Sequence, residues 1–388
     1  MYLIGRLISL IIFVVILFIV CISIKYSRSR KISILILKVY IVILTIMGYF
    51  FIPHLGADVT RLIPIMMSYR HSSISNLLVY LTNSSTPAVK VYYFVLSKMN
   101  NPNLLPATAA FITFSFCFGV LINILRYEKK IKSIEIAISL FIFMSRGLTL
   151  QIISNIRTIM SLSIIGWCIY QEFYRNKKIK SLVLLYLLGA SFHVMGQVMF
   201  LYRIVYFVIE NSKNRFHKLM KIALTIFILA IICIYGQKYL NNLVELTDLY
   251  FNASVRGIGY SYIWEKILSI MSIAFCIYLI KWFNHSNKIN IKKRTEDLGS
   301  RSTKKLIKYI IPLVVIDILA MFIEFNFFQR TSWYLTILCI PLVVYTIREG
   351  KRLKSSIKYQ RVLIIFSIIM LLLACVRGDL CSLKFFIV

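Results

Sequence analysis

The sequence predicts an all-α, polytopic membrane protein with about twelve transmembrane helices. Of its 388 residues, 59% are hydrophobic, and apolar runs recur along the whole length. Many runs are about 17 to 25 residues long, which is enough to cross about 30 Å of hydrocarbon as a helix. A closed β-barrel would show weaker segments of alternating hydrophobicity, so helices are favoured. We therefore interpret residues 1–388 as one membrane domain with no soluble domain attached.

Twelve hydrophobic segments support this count, within a range of about 10 to 14 helices. The sixth and seventh segments are short. If they form one bent helix, the membrane orientation of all later segments is reversed. The region 74–99 is only moderately apolar and is a candidate re-entrant or interfacial helix. In order, the segments are residues 3–24, 32–52, 104–125, 134–152, 156–173, 181–196, 197–210, 222–236, 262–283, 309–327, 331–347 and 361–378.

The basic residues predict an orientation in the membrane. Clusters of Lys and Arg lie in alternate loops between the apolar runs, as the positive-inside rule expects of cytoplasmic loops. This distribution explains the formal net charge of +32 by contact with membrane lipids, and it argues against nucleic acid as a partner. The clusters are Lys25–Lys31, Arg126–Lys132, Arg175–Lys180, Lys213–Lys221, Lys281–Lys308 and Arg348–Arg361.

The remaining loops and both termini are then expected on the outer face. The longer outer loops are residues 53–103 and residues 237–261, whose amphipathic first half fits a helix on the membrane surface. Short outer turns are predicted near residues 153–155 and at Gln329–Thr331. Polar residues that suit a ligand gather on this face.

Arg157 and Asn155 open the fifth segment near its outer end. An arginine at the centre of a bilayer helix costs roughly 2.5 kcal/mol or more on insertion scales, so a position near the interface is favoured. The planar guanidinium binds phosphate bidentately and keeps its charge. We expect Arg157, with Asn155 beside it, to bind an anion or a sugar phosphate. The alternative is that Arg157 extends to the lipid headgroups.

His193 and Asp58 are the candidate catalytic residues. His193 lies between Gly189 and Gly196 in the short sixth segment. Histidine as a residue type titrates near neutral pH, so His193 suits a general base or a substrate contact. The alternative is a hydrogen-bonded role in helix packing. Asp58 and Arg61 occur together in GADVTR. As an exposed ion pair they would contribute only about 0–1 kcal/mol to stability.

Arg330 and Tyr334 lie where a short outer turn is predicted, and an aromatic residue there fits an interfacial belt. Arg256 lies in the second outer loop. Asp317 is an acid deep in an apolar run, and Lys38 in the second segment is a candidate partner for a structural pair or a proton relay.

Sequence motifs of several enzyme classes are missing. The chain contains no GxSxG, P-loop, GxGxxG, HExxH or DxD element. The eight cysteines form no CxxC and no spacing that suits zinc. The sequence therefore predicts no metal site and no cofactor.

Four stretches together resemble the Wzy-type O-antigen and exopolysaccharide polymerases, in particular their EpsG-like branch. The resemblance runs from about the first to the eleventh segment, and Leu62 stands where that family often has a tyrosine. The stretches are GADVTRL after the second segment, SNIRTIMSLSI opening the fifth, KKIKSLVLLYLLGASFHVMG leading to the histidine, and FQRTSWYLTILCIP near the end.

The resemblance implies a fold similar to the lipid-linked-sugar (GT-C-like) glycosyltransferases. It also implies polymerisation of undecaprenyl-diphosphate-linked oligosaccharide repeat units on the periplasmic face of the bacterial inner membrane. The growing chain would pass from its lipid carrier to the non-reducing end of the next unit, without nucleotide sugar or metal. A chain-length regulator is a further expected partner.

These implications assign roles to the candidate residues. Arg157 and Arg330 are expected to hold the donor diphosphate, since this leaving group needs fixed positive charge. Arg61 or Arg256 is expected to hold the acceptor lipid or its sugars.

His193 or Asp58 is expected to orient or deprotonate the acceptor hydroxyl.

Two alternative functions of the protein remain open at this point. A membrane-bound O-acyltransferase would also use a histidine near the bilayer. A lipid-linked oligosaccharide flippase or another transporter would instead place cationic residues along a central cavity.

Overall fold

A computed structural model describes residues 2–53, 58–146, 148–210, 260–292, 298–323, 325–352 and 356–376, and the regular structure in these ranges is helical. The predicted all-α class is confirmed. A short π-helical turn, Tyr170–Tyr174, extends α9. In chain order the helices are α1 (Tyr2–Lys25), α2 (Arg30–Tyr49), α3 (Asp58–Ser68), α4 (Ile74–Thr82), α5 (Pro87–Ser97), α6 (Leu104–Tyr127), α7 (Ser133–Ser145), α8 (Leu148–Ser154), α9 (Ile156–Ile169), α10 (Val183–Phe192), α11 (Val194–Glu210), α12 (Tyr260–Lys292), α13 (Leu298–Ile323), α14 (Phe325–Leu338), α15 (Ile340–Arg352) and α16 (Ser356–Val376).

Several helices are long and apolar enough to cross a membrane. The helices α14 and α15, bent by 45°, are also long and apolar enough if they form one broken span. Shorter apolar helices lie in α7, α10, α11 and α16. The predicted count of twelve spans and the GT-C-like architecture stay predictions, because the described residues give four or five spans by length and composition. The four single spans are Ile8–Lys25, Arg30–Tyr49, Leu104–Tyr127 and Lys266–Ser286.

The exposed faces of these helices are apolar. On α1, Ile11 is 53% exposed and Ile19 is 57% exposed, whereas Leu17 on the opposite face is fully buried. On α13, Leu319 and Phe322 are 56% and 77% exposed. Such continuous apolar surface is unfavourable in water and suits hydrocarbon. The chain is therefore a membrane protein.

The helices α2 and α6 form an antiparallel pair. Gly48, near the end of α2, allows close approach, because a Cβ there would lie 3.0 Å from Pro106 O and 3.2 Å from Ala107 Cα. At the other end, Arg30 contacts the Leu125 carbonyl. Contacts between the start of one helix and the end of the other fix the antiparallel order.

Three short helices, α3 to α5, occupy the predicted outer loop 53–103. The Lys98 ammonium donates to the carbonyl oxygens of Arg70 and Ser72, both at 2.8 Å, and so closes the turn after α3. Gln197 Nε2 of α11 donates to Ser85 O at 2.6 Å. These contacts fasten the segment to the helix bundle; its position on the outer face stays a prediction.

The helical segment after residue 181 breaks at His193. The sequence predicted two short segments that meet at residues 196 and 197, and the structure ends α10 at Phe192 and begins α11 at Val194. Close packing explains the break. A Cβ on Gly196 would collide with Ser161 Oγ of α9 and lie 2.7 Å from Gly189 O. Two glycines therefore let α10 and α11 fold against each other and against α9.

The predicted outer turn at Gln329–Thr331 is wrong, because α14 is continuous through these residues. Thr331 Oγ1 donates to Phe327 O at 2.8 Å within the helix. A polar side chain that bonds to its own helix can be buried without a turn. Tyr334 and its neighbour Trp333 are buried among protein side chains, whereas the rings of an interfacial belt face lipid.

The suggested pair of Lys38 and Asp317 does not form. Lys38 is exposed, whereas Asp317 is fully buried and neither of its carboxylate oxygens has a hydrogen-bond partner among the described residues. A buried ion pair instead joins Arg203 of α11 to Glu172 in the π-helical turn. The Tyr186 hydroxyl of α10 donates to the same carboxylate at 2.9 Å, so three elements meet at this charge.

Candidate functional site

Asp58 and Arg157 come together from distant parts of the sequence. Asp58 is the first residue of α3, where an acid is favoured by the helix dipole, and Arg157 is the second residue of α9. Arg157 Nη2 lies 3.9 Å from Asp58 Oδ2, and Arg61, one turn along α3, contacts the other carboxylate oxygen. We call Asp58, Arg61 and Arg157 the Asp58 cluster. Three of the predicted site residues are therefore in one place.

Arg157 keeps hydrogen-bonding capacity for a ligand. Its side chain is 26% exposed, while its Nε is buried and has no hydrogen-bond partner among the described residues. The separation of 3.9 Å from Asp58 is an ion pair but is too long for a hydrogen bond. A guanidinium carries five N–H donors, and the unused ones suit bidentate contact with a phosphate.

Tyr93 of α5 lies beside the Asp58 cluster. It is 2% exposed, and its hydroxyl has no hydrogen-bond partner among the described residues. Burial raises the pKa of Tyr93 above its ordinary value; the charge of Arg157 opposes this shift and that of Asp58 adds to it. The phenol therefore stays protonated near neutral pH and can donate to an anion. Sequence reasoning missed this residue, because a tyrosine in an apolar helix carries no distinguishing signal.

His193 occupies the break between α10 and α11, and both of its ring nitrogens have partners. Nδ1 accepts a hydrogen bond from the Met195 N–H at 3.0 Å, which caps the start of α11. Nε2 lies 3.2 Å from Thr158 Oγ1. A neutral ring that accepts at Nδ1 carries its proton on Nε2 and donates it to Thr158. The histidine thereby ties α11 to the residue next to Arg157.

Arg330 approaches the same break from α14. Its positive charge and that of Arg157 both act on the His193 imidazole. Among the described residues of the Asp58 cluster, two arginines contact one carboxylate, and this excess of positive charge suits an anionic ligand.

Asn155 and Tyr334 have partners within the protein. Asn155 precedes α9, and its Nδ2 donates to Gln151 Oε1. Tyr334 is fully buried, with its hydroxyl 3.4 Å from that of Tyr309. Substrate binding by these two residues stays a prediction. Arg256 lies outside the described residues, and its predicted role is therefore not tested.

The described residues contain no group of three or more His, Cys, Asp or Glu side chains that could hold a metal ion. The groups that do meet at the site are guanidinium, carboxylate and phenol. They can bind an anion, orient a hydroxyl and accept its proton. The predicted independence from metal stays a prediction.

The fold and the site together describe a helical membrane protein in which Arg61 and Arg157 both contact Asp58. The sequence profile of the EpsG family matches residues 91–386, which is most of the chain, and the chain belongs to this family of Wzy-like polymerases and EpsG glycosyltransferases. The predicted resemblance is confirmed, and membership suggests a polymerase of polysaccharide repeat units. No curated protein and no solved structure matches the chain. The matched range includes Arg157, His193 and Arg330, and it begins after Asp58 and Arg61.

Proposed function

We propose that this protein polymerises undecaprenyl-diphosphate-linked oligosaccharide repeat units into O antigen or a similar surface polysaccharide. In the proposal, the reaction takes place on the periplasmic face of the bacterial inner membrane and needs neither nucleotide sugar nor metal. The observation that carries the proposal is the Asp58 cluster with its excess of positive charge, in a member of a polymerase family. A lipid diphosphate is an anionic amphiphile, and it calls for cationic donors beside apolar helices.

The donor in this proposal is the growing chain on its polyprenyl diphosphate. When the bond between the anomeric carbon and the diphosphate oxygen breaks, negative charge develops on the leaving diphosphate. Preorganised donors aimed at this charge lower the barrier. Arg157 and Arg330 fill this role, and the buried hydroxyl of Tyr93 adds a neutral donor.

The acceptor is a hydroxyl at the non-reducing end of the next lipid-linked unit. Its oxygen attacks the anomeric carbon, a glycosidic bond forms, and the hydroxyl proton passes to a base. Asp58, with a side chain 21% exposed, suits this role better than His193, since both nitrogens of the histidine have partners. His193 then positions α11 and Thr158, and the exposed Arg61 contacts the acceptor.

A complementation experiment tests the proposal. Variants are expressed in a strain that lacks the gene, and its surface polysaccharide is separated on a gel. The wild-type chain should restore a ladder of chain lengths, and Arg157→Ala should leave a single repeat unit. Arg70→Ala, which removes an exposed arginine just after α3, is the matched control and should restore the full ladder.

Two results would contradict the proposal. One is a full ladder from Arg157→Ala at a normal protein level, which would remove the arginine from the reaction. The other is a normal ladder with altered acetylation in the strain without the gene, which would indicate an acyltransferase.

A further inference from the structure

A second charged site lies at the other end of the α2–α6 pair from the Asp58 cluster. A cavity of about 610 Å³ opens there between the α1–α2 loop and the α6–α7 loop. Of the eleven described residues that line it, six are basic and none is acidic. The basic lining residues are Lys25, Arg28, Arg30, Lys129, Lys130 and Lys132.

Arg30 holds the two loops together. Its Nη1 donates to Leu125 O at 3.4 Å, and its Nη2 donates to Ile131 O at 3.1 Å and to Lys129 O. One guanidinium thus binds three carbonyl oxygens at and after the end of α6. The wall of the cavity is fixed by these bonds, so the site is formed before any ligand arrives.

Serine hydroxyls fasten the same region from the other side. Ser33 Oγ of α2 lies 2.8 Å from Ser133 Oγ at the start of α7. Ser27 Oγ in the α1–α2 loop donates to Ser133 Oγ at 3.2 Å and also contacts Ser33. The hydroxyls connect three elements across the cavity, and they keep the two basic loops at a fixed separation.

Two carboxylates, Glu128 and Glu135, are close in sequence to the lining residues but are not among them. Glu135 is 2% exposed, and its Oε2 accepts the Lys132 backbone N–H at 2.8 Å. Glu128 lies near the phenols of Tyr170 and Tyr174. The clustered ammonium and guanidinium groups repel one another, and an anion in the cavity relieves this repulsion.

We propose that this cavity binds the phosphate of an anionic phospholipid headgroup. The span of α1 ends at Lys25 and that of α2 begins at Arg30, so the cavity starts where the two spans leave the hydrocarbon. Tyr26, between them, is 70% exposed, and the Lys25 ammonium lies 4.7 Å from its ring centroid. Amphipathic aromatic rings are typical of headgroup depth, and adjacent basic residues attract anionic headgroups.

The test measures lipid binding by the purified full-length protein in a neutral detergent. Phosphatidylglycerol, phosphatidylcholine and inorganic diphosphate are titrated separately. The pocket variant is Lys129→Ala/Lys130→Ala, and Arg28→Ala removes a charge from the opposite loop. The matched control is Lys177→Ala/Lys178→Ala, which removes the same charge from exposed positions in the loop after α9.

We expect the pocket variant to bind phosphatidylglycerol roughly 30-fold more weakly, since each basic residue near an anionic surface contributes about a five-fold factor. Arg28→Ala should weaken binding about five-fold, and the control should bind like the wild type. Equal losses in pocket and control variants, or equal binding of phosphatidylcholine, would overturn the proposal. Diphosphate that binds as tightly as phosphatidylglycerol and displaces it would overturn the lipid assignment in favour of a soluble phosphate.

Discussion

Two arginine–carboxylate pairs in this protein have opposite arrangements. Arg203 is 2% exposed; its Nε donates to Glu172 Oε2 at 2.8 Å, and its Nη2 contacts the other oxygen. The Tyr186 hydroxyl donates a further hydrogen bond to Glu172 Oε2. Arg157, by contrast, is 26% exposed, and its Nη2 lies 3.9 Å from Asp58 Oδ2. Each of the two guanidinium groups has one buried nitrogen without a hydrogen-bond partner among the described residues.

The difference indicates a structural role for the Arg203 pair and fits the binding role that we propose for the Arg157 pair. The Arg203 pair joins the π-helical turn, α10 and α11, and the loss of one partner would leave the other charge buried and uncompensated. The Arg157 pair is partly exposed, and its two groups are too far apart for a hydrogen bond. The N–H groups of Arg157 can therefore bind a ligand with little loss of interaction energy to Asp58. The same two functional groups therefore hold the bundle together at one site and remain available at the other.

The largest expected effect is on stability, at the buried pair. Glu172→Ala should lower the free energy of unfolding by about 3–5 kcal/mol, because it leaves the buried charge of Arg203 without its carboxylate partner. Thermal unfolding in detergent measures this loss. Glu172→Leu/Arg203→Met is the control, and it should recover much of the stability because it removes both charges. Wild-type stability of Glu172→Ala would show that the pair does not hold the helices.

The next largest effect is expected on polymerisation activity, at the partly exposed pair of Asp58 and Arg157. Asp58→Asn keeps the shape of the side chain but removes its negative charge and its basicity. A general base contributes about 10²–10⁴-fold to a rate, so polymerisation should slow by at least about 100-fold while the protein stays folded. The rate of chain extension with purified lipid-linked repeat units measures this. An unchanged rate would exclude Asp58 as the base.

A smaller effect is expected at His193. His193→Ala removes the cap of α11 and should cost about 1 kcal/mol of stability, whereas asparagine is itself a good N-cap residue. If the histidine positions α11, His193→Asn should keep more stability and more polymerisation activity than His193→Ala. If both variants are folded and equally inactive, the histidine acts on the substrate instead.

The smallest effect is expected at Arg61. Its side chain is 67% exposed, and such surface pairs contribute about 0–1 kcal/mol. Arg61→Ala should therefore change stability little, and any change should shrink at high salt, where exposed charges are screened. Unfolding at two ionic strengths checks this. A loss comparable to that of Glu172→Ala would contradict the distinction between the pairs.

The sequence predicted the helical class and selected Asp58, Arg61 and Arg157, which the fold brings together. It missed what depends on tertiary contact. Long apolar runs identify α1, α2 and α6 directly, because length and hydrophobicity are local properties. Arg157 and Asp58 stood out as charges near apolar runs. Glu172 and Arg203 carried the same kind of signal, but 31 positions separate them in the chain and only the folded structure makes them a pair.

Other features that the sequence did not predict also depend on tertiary packing. The polar run Gln329–Thr331 resembles a turn in sequence, yet a helix accommodates it because Thr331 bonds to its own backbone. The burial of Tyr93 and Tyr334 depends on which helices pack around them. Composition indicates that a tyrosine fits a membrane boundary, and it does not indicate which neighbours cover the ring.

The most direct test of the proposed anion site is the affinity of the purified protein for a polyprenyl diphosphate. Hydrogen bonds to charged groups contribute about 1.5–3 kcal/mol, so Arg157→Ala should weaken binding roughly 10-fold to 100-fold. Arg157→Lys should recover only part of this, because an ammonium cannot make the bidentate contact. Arg70→Ala should bind like the wild type. Wild-type affinity in Arg157→Ala would contradict the assignment of Arg157 as a ligand of the lipid diphosphate.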